Sequence, residues 1–496
     1  MPASPRSSSS SESLTSPIHG FDSSAALILV PDDDPASSNS FDFTTDEDTD
    51  DDDSHAQPPS VPPLSSITVF VYLLAPLLKL GALLVPRVDF PFKVAIPALL
   101  FFAGLSALTR QIWYMLARYV RRADMEEIVL ETFARERAKE GRRWLLRQLV
   151  RINSGVFRVL LSVMYLRASV DILLPLLPQR ILLPSHITTT LVLGVIVLPL
   201  YLAPTLAADR VIYATWISVA SYFAWLICTA YAHAHGLLVP SATANSLSAF
   251  WQGIPTIAFA FTTVSTVPLY AALRGTTQPM PNTRPKRLQS FKLLSLLSVA
   301  IAVLCILPLV FFKVSDAPAL HEASPLTGGA LPILTAAFYA ASLTLFIPSI
   351  LVPTPGLPIP FSVRRIVLLP LSKVLVYCIT IGLSLAPSSV TAVLSDIVWV
   401  LAFLSTYMLP AFIHIILHNF RRPLSIIIPP NTPVAPSASS THSDSRNDEL
   451  LQRKERTLQR RRLGRRLVWD IGVWVLLVPV GGGGLVWAAG RVVGGW

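Results

Sequence analysis

Lys79 stands in the middle of an apolar run, Leu78-Lys79-Leu80-Gly81-Ala82-Leu83-Leu84-Val85-Pro86. A lysine at membrane depth costs several kcal/mol unless it finds partners, so an ionisable group there is a functional candidate by default. A buried lysine can take up and release a proton. Its ammonium is therefore a candidate ion-coupling group, in the place a sodium ion would take between the first and eighth apolar segments, with Ser342 or Thr344 as partner. The alternative is that Lys79 snorkels to an interface or pairs with Asp171 for structure. Asp171 and Lys373 are the other deep charges, and both read as members of structural ion pairs. Asp396 lies near a segment end and reads as solvated. His233 with His235, and His414 with His418, have metal-compatible spacing. No carboxylate or cysteine lies nearby in sequence to complete either site, so both pairs read as interfacial histidines.

A second segment departs from a uniform helix. It runs from Gly253-Ile254-Pro255 through Phe259-Ala260-Phe261-Thr262-Thr263-Val264-Ser265-Thr266 to Pro268. Small and hydroxyl residues crowd its middle, and a proline stands near either end. An unwound stretch frees backbone N–H and C=O groups, which can hold a carboxylate, an ammonium or a small cation. Phe259 and Phe261 are candidates to close over a solute, or are core aromatics. Thr262, Thr263, Ser265 and Thr266 line a cavity, or satisfy backbone groups freed by Pro268.

These two segments must be held by a larger helical assembly. Of 496 residues, 52% are hydrophobic and only 14% charged, and mean hydropathy is +0.55. Soluble proteins carry about 25% charged residues, so soluble enzymes and nucleic-acid-binding modules are excluded. Eleven apolar segments follow one another: 66–86, 92–116, 152–177, 185–206, 209–234, 250–273, 291–313, 329–352, 365–386, 391–418 and 467–490. Each suits a membrane-crossing helix. The expected fold is all-α and integral to the membrane, with no cofactor and no enzymatic role. Residues 207–210 join the fourth and fifth segments as a tight hairpin. Cys228, Cys305 and Cys378 each lie in an apolar run, which argues against a disulfide framework.

The net charge of +10 resides in the loops. With the N-terminus in the cytosol, Arg121, Arg122, Arg142, Arg143, Arg274, Arg284, Lys286, Arg287, Arg364, Arg365, Arg421, Arg422 and the stretch Arg453 to Arg466 all fall on the cytosolic side. That is the bias of multi-pass proteins. Residues 1–62, Ser-rich and acidic through Asp46 to Asp53, read as a disordered cytosolic tail. Residues 63–422 form a ten-helix core. An amphipathic cytosolic helix is expected at about 120–148, with Met125, Ile128, Val129, Thr132 and Phe133 on its apolar face. Residues 423–466 read as a Pro- and Ser-rich linker ending in a basic segment, and 467–496 as the eleventh helix with a short C-terminus. Gly481 to Gly484 permit close helix packing.

Segments one and six hold matching positions in two five-segment halves. Interrupted helices at matched positions of an inverted repeat point to a midplane transport site. Ala258-Phe259-Ala260-Phe261 through Tyr270-Ala271-Ala272-Leu273-Arg274 resembles helix six of the amino acid/auxin permease family. That family belongs to the amino acid–polyamine–organocation superfamily. Gly81 to Pro86 resembles the second half of the family's helix-one pattern, Gly-x-Gly-x-Leu-x-x-Pro. Leu198-Pro199-Leu200 and Ala402 to Pro410 resemble its patterns in helices four and ten. The likeness spans about 66–490. Lys79 stands where the family has its first helix-one glycine, and Val264 where many members have a polar or imidazole residue.

The resemblance implies a LeuT-type 5+5 inverted repeat plus one extra C-terminal helix. It implies a secondary active transporter of amino acids or related small solutes, working by alternating access in the lipid bilayer. Leu80, Gly81, Ala82, Phe259, Ala260, Phe261, Thr262 and Thr263 would contact substrate. Lys79, Ser342 and Thr344 would couple the ion, a proton rather than sodium. A vacuolar or other organelle membrane is expected before the plasma membrane. The competing expectation is a non-transporting amino acid sensor on the same fold. A membrane-embedded transferase using His233 or His235 would need several polar residues converging at one face.

Overall fold

Prolines decide where the helices break. The computed structural model describes residues 63–88, 91–120, 124–134, 140–176, 184–236, 247–263, 266–274, 290–312, 330–357, 370–420 and 468–493. These are helices and short connections, with no strand among the described residues. Among the described residues eight helices are long and apolar enough to cross a membrane: Ser66–Arg87, Phe92–Val120, Glu140–Leu176, Asp209–Ala234, Phe291–Val310, Ala330–Leu351, Ser388–His418 and Val468–Val492. Ser185–Tyr201 and Leu371–Ser384 are shorter apolar helices. The sixth apolar segment is two shorter helices, Leu247–Ala260 and Thr266–Arg274. The acidic tail, the 423–466 linker, most of the loop arginines and Val264 lie outside the described residues.

The first segment consists of α1 (Ser66–Leu74), a tight 3-10 turn (Ala75–Leu78) and α2 (Leu80–Leu84). Pro76 lacks the N–H that a continuous helix needs. Lys79 then leaves helical geometry altogether, at φ −107° and ψ −144°. This segment is the most enclosed of the eight crossing helices, with 72% of it buried, against 28% for Val468–Val492. The segment carrying the mid-run charge is thus the centre of the bundle, and the last helix lies at its edge.

Next come α3 (Phe92–Val120), α4 (Met125–Phe133), α5 (Glu140–Leu173), α6 (Ser185–Tyr201) and α7 (Asp209–Ala234). The amphipathic helix is shorter than expected. Ile128, Val129, Leu130 and Thr132 of α4 are buried, and α4 packs on α5 rather than lying open on a membrane surface. The third apolar segment correspondingly extends back to Glu140, twelve residues' worth of chain that sequence assigned to the loop. The fourth and fifth segments are joined by residues 202–208, a longer turn than the hairpin expected.

The sixth segment is α8 (Leu247–Ala260) and α9 (Thr266–Arg274). Pro268, in the first turn of α9, cannot donate back into the preceding chain, which favours the break before it. The remainder comprises α10 (Phe291–Ile306), α11 (Ala330–Thr344), α12 (Ile347–Leu351), α13 (Leu371–Ser384), α14 (Ser388–Phe403), α15 (Leu409–Ile415) and α16 (Val478–Val492). The eighth segment is also interrupted, between α11 and α12, where Pro348 enters the first turn of α12. A π turn, Leu404–Met408, links α14 to α15. In α16, Gly481 and Gly484 face Met408 and Phe403 at closest approach, whereas Gly482 and Gly483 face open space. Two of the four glycines, rather than all, serve close packing.

Candidate functional site

The two broken segments meet at their breaks. A Cβ on Gly81 would lie 2.4 Å from Ala260 Cα and 2.6 Å from Ala260 N, so only glycine permits this backbone approach. Two of the freed groups in segment six, both of Thr263, are met by the π turn of the tenth, which also reaches the end of α8. Thr406 Oγ1 accepts from the Thr263 N–H at 3.3 Å and lies 3.5 Å from the Thr263 carbonyl. The Tyr407 hydroxyl donates to the Ala258 carbonyl at 3.0 Å. π turns interrupt helices mostly at functional positions, and here one supplies the partners for a break.

Lys79 is wholly buried at the break of the first segment. Its Nζ donates to Ser218 Oγ of α7 at 2.5 Å and to the Ser342 carbonyl of α11 at 3.1 Å. It also lies 5.0 Å from the centre of the Phe346 ring, within cation–π range. The Ser342 carbonyl is exposed to this contact because Phe346 N–H turns to Leu343 instead, where the eighth segment tightens. Lys79 therefore neither snorkels nor meets Asp171. Of its expected partners, Ser342 takes part through its carbonyl, while its hydroxyl donates to Tyr339. Thr344 does not take part: its hydroxyl is buried without a partner among the described residues. Sequence reasoning missed Ser218, which also donates to the Ser342 carbonyl at 2.6 Å.

Two cavities flank the crossing. A vestibule of about 1090 Å³ is lined by Leu80, Leu84, Arg87, Arg167, Asp171, Thr256, Phe259, Tyr339 and Trp399, among others. It gathers the end of the first segment, the end of α5 and the beginnings of α8 and α14. A small cavity of about 40 Å³ lies on the opposite side of the breaks, lined by Tyr72, Gly81, Arg158, Tyr165, Phe259, Thr262, Phe346 and Ser349, among others. Phe259 borders both, and its ring stacks on Trp399 at 4.6 Å. Phe259→Ala should join the two spaces at a cost of about 3–5 kcal/mol. In a chain freed of Cys228, Cys305 and Cys378, a Thr262→Cys thiol should then react much faster with a water-soluble alkylating reagent. An unchanged rate would place the partition elsewhere.

The remaining candidate residues divide. Leu80 lines the vestibule, and Gly81 and Thr262 the small cavity. Ala82, Ala260 and Phe261 are core residues that border neither of these cavities. Thr262 spends its hydroxyl hydrogen on the Phe259 carbonyl. Thr263 and Thr266 border a third space beside Arg158.

The other charges are placed differently from their sequence readings. Asp171 is exposed in the vestibule with Arg87 and Arg167. Lys373 is in no ion pair among the described residues: its Nζ donates to the Ala203 carbonyl at 2.6 Å, tying α13 to the turn after α6. Asp396 is not solvated but 9% exposed, 3.2 Å from Arg491 of α16. His414 has the carboxylate that sequence proximity did not provide, Asp470 at 3.1 Å, which joins the tenth segment to the last. His233 and His235 pack on Phe312 and Tyr231.

Two buried arginines escaped sequence reasoning. Arg110 donates to Ser298 Oγ at 2.7 Å and to the Leu73 carbonyl at 2.9 Å, just ahead of the first break. Arg158 donates to the Pro353 carbonyl after α12. Both stand inside long apolar helices, the signal that singled out Lys79. The described residues form an all-helical protein with eight helices suited to crossing a membrane. No family model matches it, and no curated protein matches it in sequence.

Proposed function

We propose that this protein is a secondary transporter of amino acids or related small solutes, driven by a proton gradient. The observation that carries the reading is the crossing of two interrupted segments at Gly81 and Ala260, with the Lys79 ammonium buried beside it. In this reading all eleven apolar segments cross the bilayer, the first ten as a LeuT-type inverted repeat of five and five. The N-terminus is cytosolic and the membrane is that of a vacuole or similar organelle. A solute enters the vestibule and is held at the breaks of segments one and six, where helix ends present backbone groups without buried acids. Lys79 occupies the position of a coupling cation between the first, fifth and eighth segments. Its proton is released and regained as the two halves rock.

The test is uptake of radiolabelled L-amino acids into proteoliposomes holding the full chain. Uptake that rises several-fold with an imposed proton gradient, and collapses when an ionophore dissipates it, is the expected result. No uptake under either condition, with amino acids still raising the unfolding temperature, would replace transport with the sensor reading.

A further inference from the structure

We propose that the small cavity beneath the two breaks is a carboxylate subsite, with Arg158 as the residue that holds the anion. The inference rests on the transporter reading and specifies which end of the solute the site takes. Five polar side chains line the cavity: Tyr72, Arg158, Tyr165, Thr262 and Ser349. Three of them have no hydrogen left to offer. Tyr72 donates to the Leu206 carbonyl at 2.8 Å, Thr262 to Phe259 at 2.8 Å and Ser349 to Phe346 at 2.7 Å. Two donors remain. Arg158 is 9% exposed, and of its five N–H groups one is spent on the Pro353 carbonyl. Its Nε is buried without any partner among the described residues. Tyr165 is 4% exposed and lines the same cavity.

No aspartate or glutamate lines this cavity. The carboxylate that acts on Arg158, Asp124, stands outside the cavity, and a planar two-oxygen acceptor is the group that fits the guanidinium fork inside it. The size agrees. About 40 Å³ admits a group of a few atoms, not a whole amino acid. Phe259 and the Leu80–Gly81 pair separate it from the vestibule, so the body of the solute stays in the vestibule while the carboxylate passes Phe259. The second cation nearby, Lys79, stacks on Phe346, which also walls the cavity. That charge favours an anion in the cavity and disfavours an ammonium.

The test is the unfolding temperature of the purified full chain in detergent, titrated with the common L-amino acids and, separately, with their carboxamides. The acids should stabilise the protein and the carboxamides should not. Arg158→Gln should weaken the response to the acids by about tenfold or more, since it removes a charge-assisted contact. Tyr165→Phe, which deletes one oxygen and serves if Arg158→Gln does not fold, should weaken it several-fold. Equal stabilisation by acids and carboxamides, or an undiminished response in a folded variant, would overturn the subsite. Stabilisation by acids without any uptake would remove the transport reading and leave the subsite standing. Gradient-driven uptake that Arg158→Gln and Tyr165→Phe leave unchanged would do the reverse.

Discussion

Lys79→Met should reduce gradient-driven uptake to the level of empty vesicles while leaving the protein folded. Methionine has a similar length and no charge, so it fills the space between the first, fifth and eighth segments. The variant strands none of the groups around it, because Ser218 still donates to the Ser342 carbonyl at 2.6 Å. A fall in uptake, at least tenfold, is then attributable to the lost proton carrier and not to a lost scaffold. Lys79→Arg sharpens the test. A guanidinium keeps the charge but does not give up its proton, so solute exchange across the membrane should persist while net uptake against a gradient fails. Normal accumulation by Lys79→Met would make the lysine a structural donor to the Ser342 carbonyl and nothing more.

Gly81→Ala should be among the most destabilising single substitutions in the chain. The new Cβ would fall 2.4 Å from one backbone atom of Ala260 and 2.6 Å from another. Neither can turn aside as a flexible side chain would, so one broken segment must move off the other. Overpacking usually costs about 1–3 kcal/mol, and a backbone collision belongs at or above the top of that range. Gly482→Ala provides the matched control, since a Cβ there meets nothing within 4 Å. It should change stability by no more than about 0.5 kcal/mol. Unfolding both variants in detergent separates the outcomes. Equal stability would mean that the two segments do not touch at their breaks. Ala260→Gly should not rescue Gly81→Ala, because the collision is with the Ala260 backbone and only secondarily with its Cβ at 3.0 Å.

The parts of the site that were legible in the sequence share one property: they violate a local rule. A lysine, a glycine and prolines inside apolar runs stand out against leucine and valine, and they marked Lys79, Gly81 and the Phe259–Thr263 stretch. Arg110 and Arg158 violate the same rule, inside the second and third apolar segments, and the sequence reading missed both. Pro76 and Pro348 carry a similar signal, and they adjoin the first and eighth breaks. Ser218 violates nothing. A serine on an apolar helix is ordinary, and its role arises because residues 139 positions apart are brought together. The same holds for Asp470 beside His414, 56 positions apart.

Hydrophobic run length and charge density by themselves determined that this chain is helical and suited to a membrane, because an apolar environment leaves backbone groups no partner except one another. Proline and glycine, acting on the local hydrogen-bond ladder, determined roughly where the first and sixth segments fail as helices. Which carbonyl each buried cation reaches, which phenylalanine divides the two cavities and which serine stands opposite Lys79 were decided only by the tertiary structure. Those contacts depend on how whole helices rotate and cross, and rotation about a helix axis is set by packing against every neighbour at once. The spacing of residues along one segment contains no measure of it.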